Sequence, residues 1–170
     1  IYRIAKTLEK KAHMVVNDVS SSVKPLVDLF KGNPDYEEDM IIGSPTAIEL
    51  AGTNSVLVVV DVDKPSITEC PELLKMCKAI VVLDHHRRGS ETIENATLSY
   101  VEAYASSACE MVSEILQYIG DNIKVKPDEA DCMYSGIMID TNNFMTKTGV
   151  RTFEAAAFLR RNGADVTRVR

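Results

Sequence analysis

Two continuous apolar runs, each followed by an acidic residue, constrain the fold of this chain more than any other feature. The first run is Val56–Val60, followed by Asp61, and the second is Ala79–Leu83, followed by Asp84-His85-His86. Short apolar runs rich in β-branched residues, without polar alternation, are typical of strands buried on both faces of a parallel sheet. The two runs therefore predict neighbouring parallel strands in an interior position.

Helical patterns surround these strands. The apolar spacing over Ile1–Ala12 predicts a helix, and Glu69–Cys77 predicts another between the two strands. Three further helices are predicted beyond Tyr100, at Ser107–Ile119, Pro127–Ile139 and Arg151–Arg161. Strands that alternate with helices predict an α/β fold in which a parallel β-sheet is flanked by helices on both faces. A chain of 170 residues has the size of one domain.

Charge and composition exclude several classes of protein. The net charge of −6 and the pI near 5.1 argue against a surface that binds duplex nucleic acid, because such surfaces are normally basic. The longest apolar runs, such as Val56–Val60, are far shorter than the roughly 18 residues that a membrane-spanning helix needs. The four cysteines have spacings unlike those of zinc sites or disulfide-rich domains, so we expect free thiols.

The polar residues that directly follow the strands are the candidates for a functional site. In open parallel sheets the ligand crevice lies beyond the carboxyl ends of the strands, where Asp61 and Asp84-His85-His86 are expected. Carboxylate and imidazole ligands together suit borderline cations such as Mn²⁺, Fe²⁺, Co²⁺ or Zn²⁺. The pattern therefore predicts a metal site at this edge, with a helix cap or a turn residue as the alternative for a single acid.

Two arginines and a further acid complete the set of candidates. Arg87 follows the two histidines and offers fork-shaped donors to phosphate oxygens. Arg151 opens the last predicted helix, where it can either bind an anion or cover apolar surface with its stem. Arg87 and Arg151 are thus candidate ligands of a substrate phosphate, with an ordinary solvated charge as the open alternative for Arg87 and the covering of apolar surface as that for Arg151. Asp140 follows the apolar run Gly136–Ile139, and periodicity alone does not place it in the site.

A longer set of motifs gives these residues a family context. The set comprises Val58–Asp61 with Lys64-Pro65, Asp84–Arg88, Ser106–Glu110, Asp140–Phe144 and Arg151–Ala155. With these motifs the chain resembles the DHH phosphoesterase superfamily, and within it the GdpP-type cyclic-di-AMP phosphodiesterases, which are membrane-anchored proteins of Gram-positive bacteria. The resemblance covers essentially the whole chain and implies a DHH-type catalytic domain over residues 1–170.

The resemblance implies a role for each matching residue. Asp61 corresponds to the acid that bridges two Mn²⁺ ions, His85 to a ligand of the second ion, and Asp140 to the acid that completes the shell of that ion. Asp84 and His86 correspond to supporting catalytic residues, which orient the ligands or touch the phosphate. The implied cofactor of the complete enzyme is therefore a pair of Mn²⁺ ions.

The implied activity is hydrolysis of cyclic di-AMP to 5′-pApA by a cytoplasmic domain of a membrane-anchored bacterial protein. The implied partner is a cyclic dinucleotide, without duplex nucleic acid, and a homodimer is compatible with the resemblance. Membrane contact is expected only through upstream segments. Two alternatives stay open. One is a phosphodiesterase or phosphatase acting on short linear oligonucleotides or on 3′-phosphoadenosine 5′-phosphate, and the other is a nucleotide-binding sensor that does not hydrolyse its ligand.

Two parts of the family pattern are expected outside these residues. The first metal motif, a His followed by two Asp in the arrangement H-x-x-x-D-x-D, is expected before Ile1, and the substrate-binding domain after Arg170. Three protein ligands with water do not fill the shells of two hard ions, each of which takes about six ligands. We therefore expect residues 1–170 alone to bind metal weakly and to turn over little substrate.

Overall fold

The strands of this protein form two parallel sheets in the computed structural model, which describes residues 1–169. A two-stranded sheet pairs β1 (Met14–Val15) with β2 (Ile41–Ile42). A three-stranded sheet has the order β3 (Val56–Val60), β4 (Ala79–Asp84) and β5 (Leu98–Val101), with β4 in the centre. All pairings are parallel, as the continuous apolar runs predict.

Helices precede, connect and follow these strands. In chain order they are α1 (Tyr2–Thr7), α2 (Lys24–Asp28), α3 (Ser44–Leu50), α4 (Leu73–Met76), α5 (Ala108–Tyr118), α6 (Pro127–Asp140) and α7 (Val150–Arg161). A single 3₁₀ turn, Pro65–Ile67, follows β3 among the described residues. The three long helices after the sheet confirm the helical interpretation of that part of the sequence. None of the helices within residues 1–169 has both the length and the apolar character needed to cross a membrane.

Both faces of the three-stranded sheet are covered. On one face Leu83 of β4 packs in a core with Leu116 of α5 and Ile137 of α6, to which α7 also contributes. On the opposite face Ile80 and Val82 pack against Leu74 of α4. Because neighbouring residues of a strand point to opposite faces, a continuous apolar run is what a sheet covered on both sides requires. The predicted α/β class with helices on both faces is confirmed.

The register of the three-stranded sheet places the ends of its strands side by side. Val60 of β3 pairs with Leu83 of β4, and Asp84 of β4 pairs with Val101 of β5. The next residue after β3, Asp61, therefore lies beside the end of β4. This register brings the polar residues that follow the apolar runs to one edge of the sheet.

The expectation that β3 is buried on both faces is wrong. Val56 is 63% exposed and Val60 is 44% exposed, and the three residues between them are only half-buried. The reason is topological, because β3 pairs only with β4 and so lies at the edge of its sheet within residues 1–169. The short strands β1 and β2 form a separate sheet instead of extending this one.

The first helix is shorter than its apolar spacing predicts. It ends at Thr7 instead of near Ala12 because Glu9 adopts a left-handed conformation, with φ of 56°. The N–H of Lys10 then donates to the carbonyl of Ala5 at 2.8 Å, and the N–H of Glu9 donates to that of Lys6 at 3.0 Å. This is a Schellman termination, which usually has glycine at the left-handed position and was therefore missed.

Candidate metal centre

Asp61 lies at the point where the chain leaves β3. Its N–H continues the strand pairing by donating to the carbonyl of Leu83 at 2.8 Å. The residue itself has a positive φ of 65°, a conformation that Asp adopts more readily than the β-branched residues before it. The chain therefore turns sharply at Asp61, and the carboxylate sits at the carboxyl edge of the sheet.

His85 is the residue on which the predicted metal ligands converge. Its Nε2 atom lies 3.1 Å from Oδ1 of Asp61 and 3.5 Å from Oδ2 of Asp140. The imidazole is mostly buried, with an exposed fraction of 11%, whereas the Asp61 carboxylate is open to solvent. The structure thus brings together the three residues for which the resemblance implies metal binding, including Asp140 at the end of α6.

Asp84 supports both histidines from the interior. Its Oδ1 atom accepts a hydrogen bond from the backbone N–H of His85 at 2.9 Å and lies 2.7 Å from Nδ1 of His86. The carboxylate is 1% exposed. When Nδ1 of His86 donates to this carboxylate, the Nε2 atom of the same ring is free to act as a ligand or a base.

His86 also belongs to the cluster in space. Ligand atoms of Asp61, His85 and His86 all lie within 4.8 Å of one another, and the two imidazole rings are 4.4 Å apart between centroids. The sequence interpretation gave His86 a supporting role and left it outside the ligand set. Its adjacency to His85 in the chain offered no sign that both side chains reach the same point, because both residues follow the end of β4, where the apolar pattern does not determine the backbone conformation.

The electrostatics of this cluster favour a cation. Partial desolvation by the neighbouring side chains raises the pKa of the Asp61 carboxyl above its ordinary value, and repulsion from Asp140 acts in the same direction against the attraction of His85. A divalent ion placed among these groups would relieve that repulsion. Carboxylate oxygens with imidazole nitrogens form a donor set that fits Mn²⁺ and the neighbouring first-row ions.

Comparison with known proteins identifies the family. Residues 1–137 match the model of the DHH family, N-terminal domain. The chain belongs to the DHH family. The residues Asp84-His85-His86, on which the cluster is built, are the tripeptide that gives this family its name.

Two curated relatives show how the DHH domain relates to longer proteins. The chain is 39% identical over 173 residues to the cyclic-di-AMP phosphodiesterase GdpP of Bacillus subtilis (strain 168), covering 99% of this chain and 26% of the relative. It is 40% identical over 167 residues to the cyclic-di-AMP phosphodiesterase PdeA of Listeria monocytogenes serotype 1/2a (strain 10403S), covering 97% and 25%. The chain thus spans about a quarter of the length of these curated relatives.

A solved structure supports the fold of the DHH domain. An exopolyphosphatase-related protein from Bacteroides fragilis superposes with a TM-score of 0.79 at 18% sequence identity. The superposition covers 99% of this chain and 48% of that chain. At this level of identity the likeness concerns the fold alone.

Behind the cluster, α5 and α6 of the DHH domain approach each other closely. A Cβ atom at Gly136 would lie 2.5 Å from Sγ of Cys109, so any side chain there would force the thiol or one of the helices to move. Burial raises the pKa of the Cys109 thiol to about 12, and the negative charges of Asp61 and Asp140 add to the effect. The thiol is therefore neutral near pH 7, and all four cysteines of the chain are free.

The two predicted phosphate ligands have different surroundings. Arg87 is exposed and directly follows His86 in the chain. Arg151 donates from Nε to Oε2 of Glu114 at 3.0 Å and from Nη2 to the hydroxyl of Tyr100 at 3.2 Å, and these bonds raise its pKa. The structure thus ties Arg151 to α5 and β5, whereas Arg87 is exposed.

Glu110 is a buried carboxylate whose structural role the sequence interpretation missed. It is 3% exposed, accepts from the N–H of Ser106, and accepts from the hydroxyl of Thr152 at 3.3 Å. Its own N–H donates to Oγ of Ser107, the residue before α5, at 3.0 Å. The pattern Ser-x-x-Glu at the start of a helix is a capping signal that could have located it. Glu110 thereby links the start of α5 to the start of α7.

Proposed function

We propose that this DHH domain belongs to a Mn²⁺-dependent phosphodiesterase that opens cyclic di-AMP to the linear dinucleotide 5′-pApA. The observation that carries the proposal is the convergence of Asp61 and Asp140 on Nε2 of His85, at 3.1 Å and 3.5 Å. The names of the Bacillus and Listeria relatives supply the substrate, because both are cyclic-di-AMP phosphodiesterases. Because this chain spans only about a quarter of the length of these relatives, the proposed activity is that of the whole protein and not of this domain alone.

The proposed metal ligands are Asp61, His85 and Asp140. Two Mn²⁺ ions are proposed, and the exposed Asp61 is the residue that would contribute to holding both. Bound manganese would supply Lewis acidity towards the phosphate that is cleaved. The family resemblance makes further predictions that stay untested. They are additional metal ligands from an upstream motif, a downstream substrate-binding domain, a membrane anchor, a cytoplasmic location and a homodimer.

His86 and Asp84 are proposed to act on the substrate side of the cluster. The His86 side chain is 60% exposed, whereas that of His85 is 11% exposed, so His86 is the imidazole that a substrate reaches. With its Nδ1 proton held by Asp84, Nε2 of His86 can accept a proton from the attacking water. The buried carboxylate of Asp84 would then stabilise the imidazolium, as in other carboxylate–histidine pairs.

Arg87 and Arg151 are proposed to bind substrate phosphate. Arg87 has the stronger case because its side chain is exposed beside His86. Arg151 would have to share its guanidinium between the phosphate and the carboxylate of Glu114. A guanidinium has five N–H donors, so such sharing is chemically feasible.

The test is hydrolysis of cyclic di-AMP by the full-length protein, followed by chromatography with and without Mn²⁺. The wild type should release 5′-pApA, and Asp61→Asn should lower both the rate and the Mn²⁺ affinity by more than about a hundredfold, since a direct ligand matters more than an outer one. Asp121→Asn is the matched control, because Asp121 is an exposed acid in the loop after α5.

Each result has a defined meaning. Equal hydrolysis by wild type and Asp61→Asn would show that the cluster is not the active site. A wild type that binds Mn²⁺ but leaves cyclic di-AMP intact would keep the metal site and move the substrate assignment to linear nucleotides. Hydrolysis by the wild type that persists after all divalent ions have been chelated would remove the metal from the proposal.

A further inference from the structure

The turn that follows Asp140 has an unusual backbone. Asn142, Asn143 and Phe144 have positive φ values of 47°, 57° and 64°. Asn adopts the left-handed region at modest cost, but a bulky residue such as Phe rarely does, and consecutive left-handed L-residues are unfavourable. Neighbouring interactions must therefore hold this turn in place.

Thr141 provides those interactions with its side chain. It is fully buried, and its hydroxyl donates to the carbonyl of Ile137 at 2.6 Å. The same hydroxyl accepts from the N–H of Phe144 at 2.9 Å. One oxygen atom thus connects the last turn of α6 to the third left-handed residue, using both its donor and its acceptor capacity.

The backbone of Thr141 strengthens the same turn. Its carbonyl accepts from the N–H of Met145 at 3.0 Å and from the N–H of Thr146 at 2.9 Å. The hydroxyl of Thr146 also donates to this carbonyl, at 3.3 Å. The chain therefore folds back around Thr141, and α6 ends at Asp140 instead of continuing.

This arrangement fixes the position of Asp140. Asp140 is the last residue of α6, directly before Thr141, and its Oδ2 atom lies 3.5 Å from Nε2 of His85. Asp140 is partly exposed, so packing holds it less firmly than it holds Thr141. We propose that Thr141 is a positioning residue, whose hydroxyl locks the left-handed turn and so holds the Asp140 carboxylate beside His85.

The consequence for metal affinity rests on the proposed function of the cluster. A carboxylate held in place loses little conformational freedom when it binds an ion, so loosening the turn should weaken binding. Thr141→Val keeps the shape of the side chain but removes both hydrogen bonds. Thr141→Ser keeps the hydroxyl and removes only the methyl group.

The experiment measures two properties of the full-length protein. Mn²⁺ affinity is obtained from the electron paramagnetic resonance signal of free Mn²⁺, and backbone exchange from mass spectrometry of peptides covering residues 138–147. Thr141→Val should lower the affinity about tenfold, in the range seen for outer partners of metal ligands, and should accelerate exchange in the turn. Thr141→Ser should restore both properties to within about twofold of wild type.

Two controls separate positioning from general damage. Thr148→Val changes an exposed threonine in the same loop and should alter neither property. In an Asp140→Ala background, Thr141→Val should have no further effect on Mn²⁺ affinity, because the carboxylate it positions is gone. An equal loss of affinity in both backgrounds would overturn the positioning role.

The exchange measurement also separates this proposal from that of the metal site. If the wild type binds no Mn²⁺, the proposed metal function fails, and the role of Thr141 is decided by exchange alone. Exchange in Thr141→Val that is as slow as in wild type would overturn the proposal, whatever the metal result.

Discussion

At the scale of single residues, Asp84 shows how a buried charge is used. A carboxylate that is 1% exposed is costly unless it is hydrogen-bonded, and Asp84 has partners in the N–H of His85 and in Nδ1 of His86. These contacts satisfy the charge and at the same time orient the two residues that follow. The same side chain therefore serves the stability of the edge and the geometry of the cluster.

Replacing this charge should weaken the metal centre without unfolding the protein. Asp84→Asn keeps an oxygen that can accept from His86 but removes the negative charge that fixes the proton on Nδ1. We expect a loss of Mn²⁺ affinity of about 10-fold to 100-fold in the full-length protein, measured by titration against a chelator of known affinity. Asp121→Asn is the matched control and should leave the Mn²⁺ affinity unchanged. Unchanged Mn²⁺ affinity in Asp84→Asn would mean that Asp84 has only a structural role.

At the scale of elements, the contact between α5 and α6 sets how close Asp140 comes to the sheet. Gly136 and Cys109 allow the two helices to meet with the thiol filling the space that a side chain would occupy. Both helices also pack against the sheet through Leu83, which directly precedes Asp84. The approach of α6 to β4 therefore brings Asp140 to His85.

A methyl group at Gly136 should push these helices apart. Its contact of 2.5 Å with Sγ of Cys109 is far too short, and overpacking of this kind costs typically about 1–3 kcal/mol. The better helix propensity of Ala offsets up to about 1 kcal/mol, so we expect Gly136→Ala to lose about 1–2 kcal/mol in urea unfolding. In a Cys109→Ala background, which lacks the thiol, Gly136→Ala should cost much less stability than it does in the wild type. If Gly136→Ala alone is as stable as the wild type, the close contact with Cys109 is contradicted.

At the scale of the whole molecule, the charge balance restricts the partners. The chain carries 25 acidic and 19 basic residues, giving a formal charge of −6. Some of the basic side chains also form ion pairs within the chain, as Arg151 does with Glu114 and Arg168 does with Asp131. Under the proposed function, recognition of an anionic substrate would therefore be local, through the proposed metal ligands and the proposed phosphate ligands Arg87 and Arg151.

Duplex nucleic acid should bind this chain poorly. Without a basic surface there is little gain from counterion release, so we expect a dissociation constant weaker than about 10⁻⁴ M for a short duplex DNA at physiological salt. Fluorescence anisotropy of a labelled duplex measures it, with a basic DNA-binding protein as the positive control. Tight binding that weakens steeply with added salt would show a basic surface that the net charge conceals.

The sequence by itself determined the features that depend on neighbouring residues in the chain. The apolar runs ending in Asp61 and in Asp84-His85-His86 predicted parallel strands, their class of fold and the edge at which polar groups meet. Periodicity located α5, α6 and α7 to within a few residues. These predictions succeed because strand and helix formation reflect local spacing of apolar side chains.

Tertiary structure alone decided the features that depend on residues far apart. Periodicity left Asp140 unplaced, and family resemblance implied its role, but only the packing of α6 against β4 and α5 sets its 3.5 Å distance from His85. The edge position of β3 and the contact of buried Glu110 with Thr152 of α7 were likewise absent from local patterns. Apolar spacing shows which face of an element is buried, but the partner against which it packs is fixed only when the whole chain folds.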